Sequence, residues 1–205
     1  MKFYTSLASP YARKVMMVAL EKGLSDELEL VYHPTTQPDS PIWHANPMGK
    51  VPALETREGI MICDSLPICD YLNTIGEGPD LMPRENGADW AVHAMATLAN
   101  GLCDAAVARM LNKKSHPPEM QWQGWQDMQL MKINRTLDML EKSFDFPIFE
   151  GLNLASLTLA IALDYLDFRF PQEDWRLNRP NLSDWYEKAM QRDSFQKTRP
   201  QNPPA

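Results

Sequence analysis

Apolar residues recur at both strand and helix spacings as far as residue 75, and only at helix spacings thereafter. The switch falls at Gly76-Glu77-Gly78-Pro79-Asp80-Leu81-Met82-Pro83, which has the composition of a linker. A chain of 205 residues has room for two small domains. The sequence therefore predicts an α/β domain over 1–75, a linker over 76–84 and an all-helical domain over 85–205.

The first half alternates strands and helices. Residues 2–6, with Phe3 and Tyr4, read as a strand. Ser9-Pro10 is a helix start, serine as N-cap and proline in the first turn. Val15, Met16, Val18, Ala19 and Leu20 follow at helical spacing, and Gly23 ends the helix. Residues 28–32 form a second strand, so the unit is βαβ and its strands should be parallel. A short helix is expected over 41–45. Residues 53–55 and 60–62 should form a hairpin about Gly59. Asp64-Ser65 opens a helix that buries Ile68, Cys69, Tyr71, Leu72 and Ile75.

The second half predicts a long helix over 86–113 carrying Trp90, Met95, Leu98, Leu102, Val107 and Leu111, and another over 117–143. Residues 154–168 are apolar on all sides, the pattern of a central buried helix. A shorter amphipathic helix spans 181–190. Trp122 and Trp125, beside Met128 and Met131, suit core or dimer packing. Arg13-Lys14 suits a solvated or interface pair. The polar, proline-rich tail over 199–205 should be poorly ordered.

A net charge of -7 argues against a broad nucleic-acid footprint. No run approaches the roughly 20 apolar residues of a membrane span, and no signal-peptide core is read at the N-terminus. Three cysteines without a Cys-x-x-Cys pair suit buried thiols in a reducing compartment. The protein is expected to be cytoplasmic. His33, His44, His93 and His116 lack metal-ligand spacing, and Gly49-Lys50 lacks the upstream glycine of a P-loop.

Three places can carry chemistry. The first is Asn46-Pro47-Met48-Gly49-Lys50-Val51-Pro52-Ala53-Leu54, where a proline stands at the start of a strand. A cis Val51-Pro52 bond is one solution, an ordinary loop proline the other. The cis form would leave the Val51 main chain open to an extended peptide. The second is Ser9. A hydroxyl at a helix N-terminus can donate to a thiolate or oxyanion, or simply cap. The third is Asp64-Ser65, again either a cap or a cradle for an anion and an ammonium.

Taken together, Ser9-Pro10-Tyr11-Ala12-Arg13-Lys14, the 46–54 stretch and Asp64-Ser65 resemble the glutathione S-transferase family, and within it bacterial glutathione S-transferase-like proteins of the YibF type. The resemblance spans essentially the whole chain. It implies a thioredoxin-like N-terminal domain and an all-α C-terminal domain. It also implies glutathione as co-substrate, no metal, and a homodimer. Ser9 would hydrogen-bond the glutathione sulfur, with Tyr4 or Tyr11 as alternatives. Val51 before cis-Pro52 would pair the cysteinyl main chain, Asp64 and Ser65 would hold the γ-glutamyl end, and Lys50 would reach the glycyl carboxylate. Leu7, Ala8, Tyr11, Cys103, Ala106 and Met110 would line a pocket for a small apolar electrophile. The implied reaction is transfer of an alkyl or aryl group to the thiolate. A glutathione-dependent isomerase or dehalogenase, or a non-catalytic adaptor, remains open. One departure stands out: where the family often has an aspartate three residues after the cap of its central helix, this chain has Ser156 after Asn153. That leaves the helix end without its reciprocal carboxylate.

Overall fold

A computed structural model of the chain describes residues 1–34, 37–83, 88–146, 149 and 151–202. It divides into two compact units, Met1–Met82 with the segment from Asp193, and Pro83–Arg192. Residues 84–87, which include the expected linker end and the helix start at Asn86, lie outside the described residues, as do 203–205.

The first unit contains β1 (Lys2–Thr5), α1 (Pro10–Glu21), β2 (Glu29–Tyr32), α2 (Ile42–Ala45), β3 (Ala53–Glu55), β4 (Met61–Cys63) and α3 (Ser65–Ile75). The sheet order is β2-β1-β3-β4, with β1 and β2 parallel and the other pairs antiparallel. This is the expected thioredoxin-like arrangement. Phe3 is fully buried in β1, opposite Leu30 on one side and Leu54 on the other. Ala12, Val15, Val18 and Ala19 form the buried face of α1, which packs against α3. β4 lies one residue later than the sequence suggests. The Thr56 N–H donates to Ile60 O at 2.9 Å, and Gly59 takes φ 77°. Ile60 thus belongs to the turn, where its side chain is exposed.

The second unit contains α4 (Ala88–Ser115), α5 (Gln123–Glu141), α6 (Leu154–Arg169) and α7 (Pro180–Ala189). Every residue of α6 from Leu154 to Leu166 is buried. α4 packs along α6 and buries Val92, Ala96, Ala99, Cys103 and Ala106. Of the large apolar residues that mark this helix in the sequence, Trp90 and Leu111 are exposed. Steps of four and three bring mainly small side chains to the seam, and small side chains let helix axes approach. The buried Arg109 guanidinium makes two bonds to Glu173, at 2.8 and 2.7 Å, and lies over the Phe170 ring. By length and composition alone the Trp90–Ser115 stretch is long and apolar enough to cross a membrane, contrary to the sequence reading. Its buried, paired arginine and its packing on α5 and α6 are those of a core helix.

α5 begins later than the expected residue 117. Pro117 precedes another proline, which pushes it to extended backbone (ψ 157°), and only a single 3-10 turn, Pro118–Met120, intervenes before α5. Trp122, Met128 and Met131 are exposed, so they are not core residues of this chain. The cap of α6 also corrects an expectation. Asn153 Oδ1 accepts from the Ser156 N–H at 2.8 Å, and Ser156 Oγ accepts from the Asn153 N–H at 3.0 Å. A hydroxyl completes the reciprocal capping box in place of the carboxylate.

α8 (Asp193–Lys197), which the sequence reading missed, belongs to the first unit and packs on α1. It covers Arg13, which is buried together with Lys14 although the sequence suits a solvated or interface pair. Arg13 donates to Phe195 O at 3.4 Å and to Thr198 Oγ1 at 3.3 Å. The tail continues with a bond from the Gln201 N–H to Leu7 O at 3.2 Å, so it is tied down there.

Two outcomes follow from this packing. Ser156→Ala removes the acceptor of a buried N–H, and urea denaturation should show a loss of about 1–3 kcal/mol. Burial pushes the Cys69 thiol up from 9.0 to about 12, against a smaller opposing pull from Lys14. The folded state therefore keeps a proton that the unfolded state loses. The stabilisation is complete below pH 9 and is lost as pH rises toward about 12. Urea unfolding across that range should show a steeper decline for the wild type than for Cys69→Ala.

Candidate functional site

The sheet register gathers the three candidate places at one edge. Tyr4 pairs with Ala53, and Ala53 with Cys63, so one row crosses β1, β3 and β4. Neighbouring strands lie about 4.8 Å apart, which makes the row about 10 Å wide. β1 leaves this edge toward Ser9, β3 enters it from Val51 and Pro52, and β4 leaves it into Asp64 and Ser65.

Ser9 is the N-cap of α1, with φ -88° and ψ 121°. Its Oγ accepts from the Ala12 N–H at 3.2 Å. A hydroxyl has one proton to donate and two lone pairs to accept with. Capping uses a lone pair and leaves the O–H able to donate, so capping and anion recognition are compatible at this residue. Its own N–H donates to Ser6 O at 3.1 Å, which closes the turn out of β1.

The Val51-Pro52 bond is cis. Val51 precedes the β3 ladder, and among the described residues neither its N–H nor its C=O has a protein partner. Its side chain packs with Ile42, Ala45 and Ala53. The loop before it is built by Asn46, a role the sequence reading did not assign. Asn46 Oδ1 accepts from the Met48 N–H at 3.0 Å, its Nδ2 donates to Lys50 O at 2.9 Å, and its main-chain O accepts from the Gly49 N–H at 2.8 Å. Gly49 has φ 61°, and a Cβ there would fall 2.5 Å from the Trp43 ring. Both facts require glycine. The Asn-Pro-x-Gly pattern was the available signal, because asparagine commonly bonds the main chain two residues on. The Lys50 side chain is exposed.

Asp64 caps α3, accepting from the Leu66 N–H at 3.2 Å, and takes φ 72° with ψ 145°. This left-handed backbone is uncommon outside glycine and costs on the order of 1–3 kcal/mol. Ser65 is buried, and its Oγ donates to Asp64 Oδ1 at 3.4 Å. The site thus offers the first turns of two helices, each with N–H groups suited to an anion, and a carboxylate suited to an ammonium. Partial burial and then Asp64 push the nearby Cys63 thiol up, which disfavours its thiolate, and its Sγ donates to Ala45 O at 3.5 Å.

Of the residues assigned to an electrophile wall, Leu7 is exposed and Ala8 and Tyr11 are half-buried, in the loop and first turn beside Ser9. In the helical unit Cys103 and Ala106 are buried in α4 and Met110 is half-buried.

Residues 3–80 match the family model of the glutathione S-transferase N-terminal domain, and residues 121–188 that of the C-terminal domain. An uncharacterized GST-like protein, YibF, of Escherichia coli K12 is 34% identical, over 98% of each chain. Two crystal structures of a glutathione transferase family member from Pseudomonas fluorescens Pf-5 are also similar. One, with bound glutathione, has 36% identity and a TM-score of 0.92 over 98% of this chain and 99% of that one. The other, with bound S-(propanoic acid)-glutathione, has 37% identity and a TM-score of 0.89 over 98% and 100%.

The left-handed backbone at residue 64 has a measurable consequence. In chemical denaturation Asp64→Gly should stay within about 1 kcal/mol of the wild type, because glycine relieves the backbone and is a fair N-cap. Asp64→Ala should lose about 1–2 kcal/mol, because it removes the cap and keeps the Cβ.

Proposed function

The chain belongs to the glutathione S-transferase family, and from that premise we propose that it is a glutathione transferase that activates the thiol for attack on a small apolar electrophile. The observation that carries this reading is the unpaired Val51 main chain at the same sheet edge as the Ser9 and Asp64 helix starts. An extended tripeptide supplies the missing partners: the cysteinyl N–H and C=O pair with Val51 as an added strand. The α-ammonium of the γ-glutamyl end is assigned to Asp64. Its carboxylate is assigned to the Ser65 N–H and hydroxyl at the start of α3. Lys50, exposed beside Val51, is the proposed contact for the glycyl carboxylate.

Ser9 then donates its hydroxyl proton to the sulfur. A free thiol with pKa about 8.5 is only a few per cent ionised at neutral pH. A donor at a helix N-terminus favours the thiolate, which is the attacking form. The sulfur forms the new S–C bond, and the displaced electron pair leaves with the leaving group or is protonated on the acceptor. Leu7, Ala8 and Tyr11 are the proposed first-unit contacts of the electrophile. The S-(propanoic acid)-glutathione held by the Pseudomonas fluorescens relative supports a thioether as the kind of product. A second copy of the chain is the proposed partner, for which the exposed Trp122, Met128 and Met131 offer an apolar surface.

Ser9→Ala should lower turnover about 100-fold, in line with loss of one donor to a developing anion. Its glutathione dissociation constant, measured by calorimetry, should change less than about threefold, because Val51, Asp64 and Ser65 are untouched. Equal turnover in Ser9→Ala would remove Ser9 from the role and turn attention to Tyr11. No binding of glutathione to the wild type at millimolar concentration would favour the adaptor reading.

A further inference from the structure

The C-terminal segment runs back along the whole length of α1 and ends at the turn that presents Ser9. The contacts fall in order. Ser194 Oγ donates to Glu21 Oε1 at 2.6 Å, at the C-terminal end of the helix. Arg13, in the first turns, donates to Phe195 O and to Thr198 Oγ1, and its guanidinium lies 5.9 Å from the centre of the Phe195 ring. Thr198 Oγ1 in turn donates to Ser194 O at 2.7 Å. The Gln201 N–H then donates to Leu7 O at 3.2 Å, beyond the start of the helix. Glu21 to Arg13 covers about 12 Å of helix at 1.5 Å per residue, so the segment spans the helix and passes its N-terminus.

The last contact bears on the site. Leu7 sits between β1 and Ser9, in a turn otherwise closed by the Ser9 N–H to Ser6 O bond and a long Ala8 N–H to Ser6 Oγ bond at 3.4 Å. Its side chain is exposed, so packing does little to hold the turn. Arg13 reaches the same place from the other side: its N–H donates to Ser9 O at 3.0 Å, and its buried side chain anchors the tail. We propose that the C-terminal segment is a strap that fixes the 7–9 turn, with the Gln201 main-chain amide and the Arg13 side chain as positioning residues for the Ser9 hydroxyl. Neither touches a reacting atom. The proposal rests on the transferase reading for its catalytic consequence but not for its structural one.

The amide can be removed without altering the core, because residue 201 is exposed. Gln201→Pro has no N–H to donate, and Gln201→Ala keeps it. Three readouts apply: amide hydrogen exchange at Ala8 and Ser9, the titration of glutathione thiol bound to the enzyme followed by thiolate absorbance, and the split between kcat and KM. In Gln201→Pro the two amides should exchange about three- to tenfold faster, the size of one lost hydrogen bond. The bound thiol should titrate at higher pH, and kcat should fall by a similar factor with the glutathione KM unchanged. Gln201→Ala should match the wild type in all three. A chain ended after Pro200 removes the same amide without a new ring, and it should reproduce the proline variant. Unchanged exchange and thiol titration in both the proline variant and the shortened chain overturn the strap. So does a loss in the proline variant that the shortened chain does not share. If the wild type fails to bind glutathione, the transferase reading fails alone, and the exchange measurement still decides the strap.

Discussion

The antiparallel pairing of β3 with both β1 and β4 is the constraint on which the site depends. Three residues, Tyr4, Ala53 and Cys63, set that register. A slip of one residue in a strand turns every side chain to the opposite face. Here it would also move a helix start or the Val51 main chain along the edge by about 3.4 Å. Phe3 and Leu54, both fully buried and directly paired, resist such a slip. The core of the first unit and the spacing of its polar edge are thus one determination.

The helical unit meets a different difficulty, polar groups inside an apolar bundle. α6 is buried for more than three turns, so its N-terminal donors cannot rely on solvent. Asn153 and Ser156 satisfy one another's main chain. Further along, Asp164 accepts from the Tyr186 hydroxyl at 3.0 Å, and Thr158 bonds back to Leu154 O at 2.7 Å. Burial and the neighbouring carboxylate push the Tyr186 hydroxyl well above its ordinary range, which keeps it a donor.

Much of this was legible in the sequence because the signals are local. Ser9-Pro10 and Asp64-Ser65 announce helix starts by chemistry confined to a few residues, and both helices begin there. The sheet strands follow from apolar runs between turn residues. What was not legible depends on residues far apart. Arg13 looks like a surface cation until a five-residue helix far along the chain covers it. The seam of α4 cannot be read from its large apolar residues, because Ala96, Ala99 and Ala106 are inside and Trp90 is outside. Asn46 belongs to a turn signal in the sequence, but its three bonds across the loop depend on how the loop folds back on its side chain and carbonyl. The sequence shows Ser156 where a carboxylate is usual, but only the folded cap shows its hydroxyl taking the reciprocal bond.

The capping use of Ser9, with the proposed use toward a thiol, limits what else could stand at that position. The cap needs an acceptor for the Ala12 N–H at 3.2 Å. A cysteine there would keep the shape and gain a nucleophile, but sulfur is a weak acceptor. Its thiolate would be drawn to the same N–H that the hydroxyl oxygen now satisfies. Exchanging oxygen for sulfur at one atom would therefore convert a residue proposed to assist another molecule's thiolate into one that carries its own charge. On this scaffold, the proposed assistance to a thiol and the possession of one differ by a single heteroatom at the start of α1.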